Sequence, residues 1–450
     1  MPRLGRLLTG RGKTLLMFLD LLLLALSFGA VVWLRFGTVD AVAWMDPLVA
    51  VVGFFCLLFL YVFGTYDVDD LGAKRFIWTR VALALLAAFT VGLAVNFFLQ
   101  ADRSGLFGRG VFVGALLMDY VLAVAVRQIL ASRLRRRRRT QNWLLLASAD
   151  KGARVAEELR RNHLQGLLQV FPLGHPVEDS RRDFLEALQV PRTGIILGAE
   201  DAAWKHLENE LVEVRLQGMN VAPLSSMYET LWRKIPVEYL DHRWFLQQDG
   251  FAIVNSSLRQ RFKRLFDLGG SVLFIALMWP VMLLTALAVR LESKGPALYK
   301  QVRTGKGGED FVIYKFRSMR VDAEKDGAQW AKTNDDRVTK VGRFIRRTRL
   351  DEFPQIWNIL KGEMSFIGPR PERPEFNESL AKEIPYYQLR HLVRPGVTGW
   401  AQVMYPYGAS RTDAQRKLEY DLYYIKNYSL LFDLKILLKT VRVVLFAAGR

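Results

Sequence analysis

The first third of the chain holds four apolar runs, at 15–34, 48–63, 81–99 and 111–130. Each approaches the roughly 20 residues that a helix needs to cross a bilayer. Lipid offers the backbone no hydrogen-bond partner, so runs of this kind fold as helices, here a four-helix membrane bundle. Basic residues set its orientation. Arg3, Arg6, Arg11 and Lys13 precede the first run, and Lys74 and Arg75 lie between the second and third. Arg133 and the unbroken Arg135–Arg139 follow the fourth, while Asp40 and Asp46 mark the first loop. The positive-inside rule then places both ends of the bundle in the cytoplasm. No small-residue cleavage site closes the first run, so removal as a signal peptide is not expected.

A net charge of +19 on a chain that is 51% hydrophobic suits a membrane protein meeting anionic lipid or phosphorylated substrates. The arginine run sits just inside a membrane helix, so inner-membrane lipid headgroups, and no nucleic acid, are its expected partners. Asp20 and Asp119 fall within the spans, where charge is costly, and are expected to pair between helices. The lone Cys56 excludes a disulfide framework, and five scattered histidines do not make a His-rich metal centre.

Residues from about 141 to 240 read as an α/β module. Strand-like 143–147 precedes a helix at 153–161, and strand-like 194–198 precedes a helix at 202–217. That alternation predicts a small parallel sheet of Rossmann type. The first turn is Ala147-Ser148-Ala149-Asp150-Lys151-Gly152 and lacks Gly-x-Gly-x-x-Gly, so no dinucleotide is expected to bind. A structural, regulatory or dimerising role is expected instead, which leaves room for a homodimer.

Chemistry concentrates further on, in Arg346-Arg347-Thr348-Arg349-Leu350-Asp351-Glu352-Phe353-Pro354-Gln355. Asp351 reads as the N-cap of a helix from about 352 to 361, with Pro354 in its first turn and Gly362 as its stop. Guanidinium forks grip phosphate, and a carboxylate among them stays ionised at neutral pH. One carboxylate could attack phosphorus while its neighbour holds a divalent cation. On these residues alone, a capped helix with an acidic first turn is the alternative. Asp335 and Asp336 read as a turn.

An apolar run at 265–289 contains Trp279-Pro280 and has basic residues at both ends, Lys263 and Arg264, then Arg290 and Lys294. A crossing would put those ends on opposite sides, so a re-entrant helix-break-helix hinged at Pro280 is expected. From residue 258 onward, 34 Lys and Arg face 20 Asp and Glu. The last helix, 429–446, carries Lys435, Lys439 and Arg442 on one stripe, which fits either an interfacial helix or a core helix with a solvated face. Tyr386 and Tyr387 are candidates for a second interfacial contact.

Around the acidic pair stand Tyr314-Lys315-Phe316-Arg317-Ser318-Met319, Lys361-Gly362-Glu363-Met364-Ser365-Phe366-Ile367-Gly368-Pro369-Arg370-Pro371 and Arg394-Pro395-Gly396-Val397-Thr398-Gly399-Trp400-Ala401-Gln402. From about Arg259 to Arg450 the chain resembles the bacterial sugar transferases, the polyprenyl-phosphate hexose-1-phosphate transferases also called monotopic phosphoglycosyl transferases. The resemblance implies transfer of hexose 1-phosphate from a UDP-hexose to undecaprenyl phosphate, with UMP released, at the cytoplasmic face of the bacterial inner membrane. Capsule, exopolysaccharide or O-antigen synthesis is the implied setting, and glucose or galactose the expected sugar. Asp351 matches the family's nucleophile, and Glu352 matches the residue that binds Mg²⁺. Arg346 and Arg370 match phosphate-binding arginines. Pro369 shares the Gly-Pro-Arg-Pro turn, and Lys315 and Arg317 are weaker candidates for the same task. Asp421 matches a carboxylate near the metal, with a structural salt bridge as its alternative. Phe353 replaces the usual aliphatic residue and is expected to face the core.

The chain thus divides into a four-helix transmembrane region (1–140), a Rossmann-like α/β module (141–255) and a mainly α monotopic catalytic domain with its re-entrant helix (256–450). A membrane-anchored nucleotide-sugar dehydratase needs a glycine fingerprint and a Tyr-x-x-x-Lys pair, and neither is found. A processive glycosyltransferase needs an Asp-x-Asp motif after a strand, whereas Asp67-Val68-Asp69 falls between membrane runs. A non-enzymatic assembly scaffold would require a dead acidic pair, and the pair is intact.

Overall fold

A computed structural model describes residues 10–37, 47–66, 77–99, 109–139, 142–162, 164, 168–173, 177–198, 202–320, 337–405, 408 and 410–445. Asp40, Asp46, Asp67, Asp69, Lys74, Arg75, Asp335 and Asp336 lie outside them. The chain forms two compact units, Met1–Thr230 and Leu231–Arg450.

The first unit opens with helices α1 (Gly10–Phe36), α2 (Pro47–Val62), α3 (Ile77–Leu99) and α4 (Arg109–Arg139). α1 packs on α4, α2 on α3, and α3 on α4. By length and composition Gly12–Phe36, Ile77–Phe98 and Gly110–Arg133 can each cross a membrane. The 16 residues of α2 reach only about 24 Å, short of a ~30 Å hydrocarbon core. Phe28, Phe89 and Phe112 meet in the bundle core, while Phe18, Leu22, Trp33, Phe54, Phe97 and Leu117 are exposed. Outward apolar side chains of this kind are what a lipid solvent accepts. Asp20 finds its partner in Arg127 of α4: both guanidinium Nη atoms donate to its two oxygens at 2.9 Å. Asp119 is buried as well, and its Oδ1 has no hydrogen-bond partner.

The same unit holds β1 (Trp143–Ser148), α5 (Ala149–Arg161), β2 (Leu168–Leu173), α6 (Val177–Gln189), β3 (Gly194–Leu197), α7 (Glu208–Leu216) and β4 (Asn220–Pro223). The strands form one parallel sheet in the order β2-β1-β3-β4. The helix expected at 202–217 opens as a 3₁₀ turn, Ala202–Leu207, before becoming α7.

In the second unit, Ile235, Val237, Trp244 and Ile253 share one core with Ile367, Trp400, Leu418 and Ile425. The division therefore falls at Thr230/Leu231, and residues 231–255 belong with the second unit. Helix α8 (Ser257–Glu292) follows without interruption through Pro280, where a break is expected from the sequence. Its inward stripe, Lys263, Asp267, Ser271, Thr285 and Val289, recurs at near-helical spacing. Leu265, Val272, Leu273, Leu277, Trp279, Leu283, Leu284 and Leu287 are exposed along the remainder. Both ends of α8 are fastened to the unit. Lys263 pairs with Asp433 at 2.7 Å, and Arg317 donates to the Ser293 carbonyl at 2.7 Å.

Strands β5 (Leu298–Thr304) and β6 (Asp310–Phe316) form an antiparallel hairpin. Then come α9 (Lys340–Thr348), α10 (Ile356–Lys361), β7 (Ser365–Ile367), α11 (Pro374–Glu383), β8 (Gly396–Thr398), α12 (Arg411–Lys426) and α13 (Leu430–Leu445). On α13, Lys435 and Lys439 lie over the Trp400 ring at 5.4 and 5.8 Å, so part of the basic stripe covers the core. Leu430, Leu431, Leu434, Val441 and Val444 are exposed apolar positions on that helix. Tyr387 is buried and accepts from Arg390, so it does not serve as the expected interfacial contact, while the half-buried Tyr386 packs on Phe245.

Candidate active site

The acidic pair does not begin an α-helix. α9 ends at Thr348, Arg349 adopts a left-handed conformation, and Leu350–Gln355 form a 3₁₀ turn ahead of α10. Asp351 is therefore not an N-cap. Pro354 brings no N–H to the turn, which suits the tighter 3₁₀ geometry at the entry to a helix. Gly362 closes α10 at φ 89°, as the sequence predicts. Phe353 packs edge-on against Phe274 of α8, ring centroids 4.8 Å apart.

Glu352 is buried and meets three cations: Arg370 Nη2 at 2.9 Å, Arg349 Nη1 at 3.6 Å and Lys315 Nζ at 3.8 Å. Burial pushes its carboxyl up, but Arg370, Lys315 and Arg349 together overcome this and hold it below the usual range. Asp351 behaves oppositely. Burial, then the neighbouring Glu352 charge, raises it against the pull of Lys315, Arg349 and Arg346. Its Oδ1 is buried and has no hydrogen-bond partner. Lys315 is lowered to about 8, by burial first and then by Arg370.

Asn358 of α10 keeps Lys315 in place. It accepts from the Tyr314 N–H at 3.2 Å and donates to the Val312 carbonyl at 2.7 Å, which registers β6 against the turn. Arg370 depends on close backbone packing. A Cβ at Gly368 would lie 2.4 Å from the Arg394 carbonyl, and one at Gly396 would lie 2.1 Å from the Gly368 nitrogen. Those glycines let the Gly-Pro-Arg-Pro turn and the Arg-Pro-Gly segment meet, and the buried Pro369 carbonyl accepts the Gly396 N–H at 2.9 Å.

Of the residues read from the sequence, Asp351, Glu352, Arg346, Arg370 and Lys315 come together. Arg317 does not: its guanidinium donates to the Lys294 and Ser293 carbonyls and fastens the end of α8. Asp421 pairs with Arg390 at 2.9 Å, and Arg390 also donates to the Arg370 carbonyl at 3.0 Å. Burial outweighs Arg390 and raises the Asp421 carboxyl to about 6. Asp421 thus reaches the site through Arg390, a residue no local motif marks. Arg303 of β5 escapes the sequence reading as well; it donates to the Pro371 carbonyl at 3.0 Å.

Residues 258–447 match the bacterial sugar transferase family. The chain is 44% identical over 242 residues to an Aeromonas hydrophila UDP-N-acetylgalactosamine-undecaprenyl-phosphate N-acetylgalactosaminephosphotransferase, covering 54% of this chain and 56% of the relative. It is 39% identical over 233 residues to the UDP-glucose:undecaprenyl-phosphate glucose-1-phosphate transferase of Escherichia coli, covering 51% and 45%. A Caulobacter vibrioides protein with that same name is 43% identical over 181 residues, covering 40% of this chain and 68% of the relative. The chain belongs to the bacterial sugar transferase family. It spans about half the length of the first two of these relatives.

Proposed function

We propose that this protein transfers a sugar 1-phosphate from a UDP-sugar to undecaprenyl phosphate and releases UMP. The observation that carries this reading is the half-buried Asp351 beside the buried Glu352, set among Lys315, Arg346, Arg349 and Arg370, an excess of positive charge suited to phosphate oxygens. A carboxylate oxygen of Asp351 attacks the sugar-bearing phosphorus. The bond from that phosphorus to the bridging oxygen breaks, and UMP leaves with the electron pair. An oxygen of the lipid phosphate then attacks the same phosphorus and expels Asp351. Two displacements let two bulky anions use one site in turn.

Glu352, with Asp351 beside it, would hold Mg²⁺. Two carboxylates completed by phosphate oxygens and water are a donor set that Mg²⁺ accepts, and the unpartnered Asp351 oxygen fits it. Bound there, the ion would neutralise charge on the diphosphate. Arg370 and Lys315 hold the Glu352 carboxylate in its ionised form, and Arg390 with Asp421 steadies the Arg370 backbone.

The monotopic reading is supported by the second unit's own packing. Residues before α8 and after it share one core, so a helix that crossed the membrane would tear that core apart. We infer that α8 dips into the cytoplasmic leaflet with its apolar side in lipid, and that the Rossmann-type module contributes assembly or regulation. The relatives' names add UDP-N-acetylgalactosamine to UDP-glucose and UDP-galactose as donors to test. Incubation of the protein with radiolabelled UDP-sugars and undecaprenyl phosphate decides the matter. Lipid-linked sugar diphosphate with UMP is expected, and release of UDP would indicate a glycosyltransferase instead.

A further inference from the structure

The motifs assign no role to Arg349, yet its backbone stands at φ 62° and ψ 14°. Residues other than Gly, Asn and Asp seldom adopt that left-handed conformation. Arg349 joins α9 to the turn that carries the acidic pair, and its carbonyl accepts the Glu352 N–H at 3.2 Å. Glycine would make the same junction with less strain, so the junction alone does not call for arginine. Strain kept beside a reactive pair points to a use for the side chain.

That side chain is only loosely engaged. Nη1 lies 3.6 Å from Glu352 Oε1, within ion-pair reach but too far for a hydrogen bond. Among the described residues the guanidinium makes no hydrogen bond. Its side chain is 46% exposed, against 35% for Arg370 and 17% for Lys315, the other cations on Glu352. Arg370, by contrast, already donates to Glu352 at 2.9 Å. Of the three cations on Glu352, Arg349 therefore has the most donors left over and the most access.

We infer that Arg349 is a phosphate-binding residue, whose fork grips a phosphoryl oxygen of the anion seated at Asp351. The inference rests on the transferase reading for the identity of that anion. A nucleotide phosphate and a lipid phosphate share the chemistry, and separate binding arms distinguish them.

The full chain in detergent is titrated with UMP in one arm and with a short-chain polyprenyl phosphate in the other. Arg349→Gly suits the left-handed backbone and removes the guanidinium, and an unchanged melting temperature establishes that it folds; Arg349→Asn replaces it should it not. Loss of one charge-assisted fork is expected to weaken binding about tenfold in at least one arm. The arm that weakens names the source of the phosphate. Binding within twofold of the parent in both arms overturns the assignment. So does an equal loss in Arg347→Ala, which removes a neighbouring exposed charge and would reveal only a diffuse field. Because both arms read equilibrium binding, they stand apart from catalysis. A parent protein that transfers no sugar yet shows the Arg349-dependent loss would defeat the transferase reading and leave the phosphate site intact.

Discussion

Buried charge occurs in both units of this chain, balanced in opposite senses. In the membrane bundle one guanidinium, Arg127, meets Asp20 through two bonds of 2.9 Å, with Asp119 buried about two turns away on the same helix. Carboxylates outnumber the cation, and each Asp20 oxygen accepts from one guanidinium Nη, while the buried Arg127 Nε has no hydrogen-bond partner. In the second unit four cations surround Asp351 and Glu352, and an Asp351 oxygen lacks any hydrogen bond. A two-bond pair between helices favours one meeting and one register of those helices. What sets the acidic pair apart is its surplus of positive charge, which suits an anion from outside, as the proposed function requires. The contrast separates a device of assembly from a device of chemistry, although both are carboxylates among arginines.

The comparison breaks first at Asp351. Asp351→Asn should lower UMP release by about a thousandfold or more, since an amide cannot act as the nucleophile. Substantial turnover in a preparation free of wild-type enzyme would remove the covalent route. Truncation comes next. A chain starting at Leu231 keeps Ile235, Val237, Trp244 and Ile253 in the core and should fold and retain catalysis in membranes. A chain starting at Arg259 loses all four and should be unstable. Equal yield and activity from both would show that this segment is dispensable. In the bundle, Arg127→Met leaves Asp20 buried and unpaired, at a cost of about 3–5 kcal/mol. Thermal unfolding of that variant should recover when Asp20→Asn is added, and no recovery would mean that Arg127 acts through Thr65 or Tyr66 instead.

Much of this contrast is legible in the sequence, and for a physical reason. The membrane helices and the acidic pair announce themselves locally, through run length and through adjacent charges. Asp20–Arg127 spans 107 positions and Arg390–Asp421 spans 31, so no window contains either pair. Arg317 misleads because it sits beside Lys315 on an extended segment, where successive side chains take opposite sides and one residue further on resumes the first. Lys315 and Arg317 share a parity, yet β6 ends at Phe316 and Arg317 turns to the end of α8. In sequence the turn at Asp351 reads as α-helical because Pro354 is compatible with a first turn of either kind. Residues 235–253 carry no motif at all, and only their burial assigns them to the second unit.

The smallest expected effect is the most discriminating. As the proposed nucleophile Asp351 must be ionised, and its carboxyl is raised, so formation of the covalent intermediate should fall with acidification at a pH above the ordinary aspartate range. Lys315 must be protonated to hold phosphate, and it is lowered to about 8, so a second decline should begin there as pH rises. The two limbs respond differently to substitution. Glu352 contributes to the rise of Asp351, so Glu352→Gln should move the acid limb downward even as its residual, metal-dependent rate falls. Removing Arg349 takes away a charge that lowers Asp351 and should move the same limb upward. Single-turnover labelling with a UDP-sugar across pH measures both. An acid limb that stays fixed in both variants would show that it belongs to a group other than Asp351, and the charge surplus at the site would then have to be explained by binding alone.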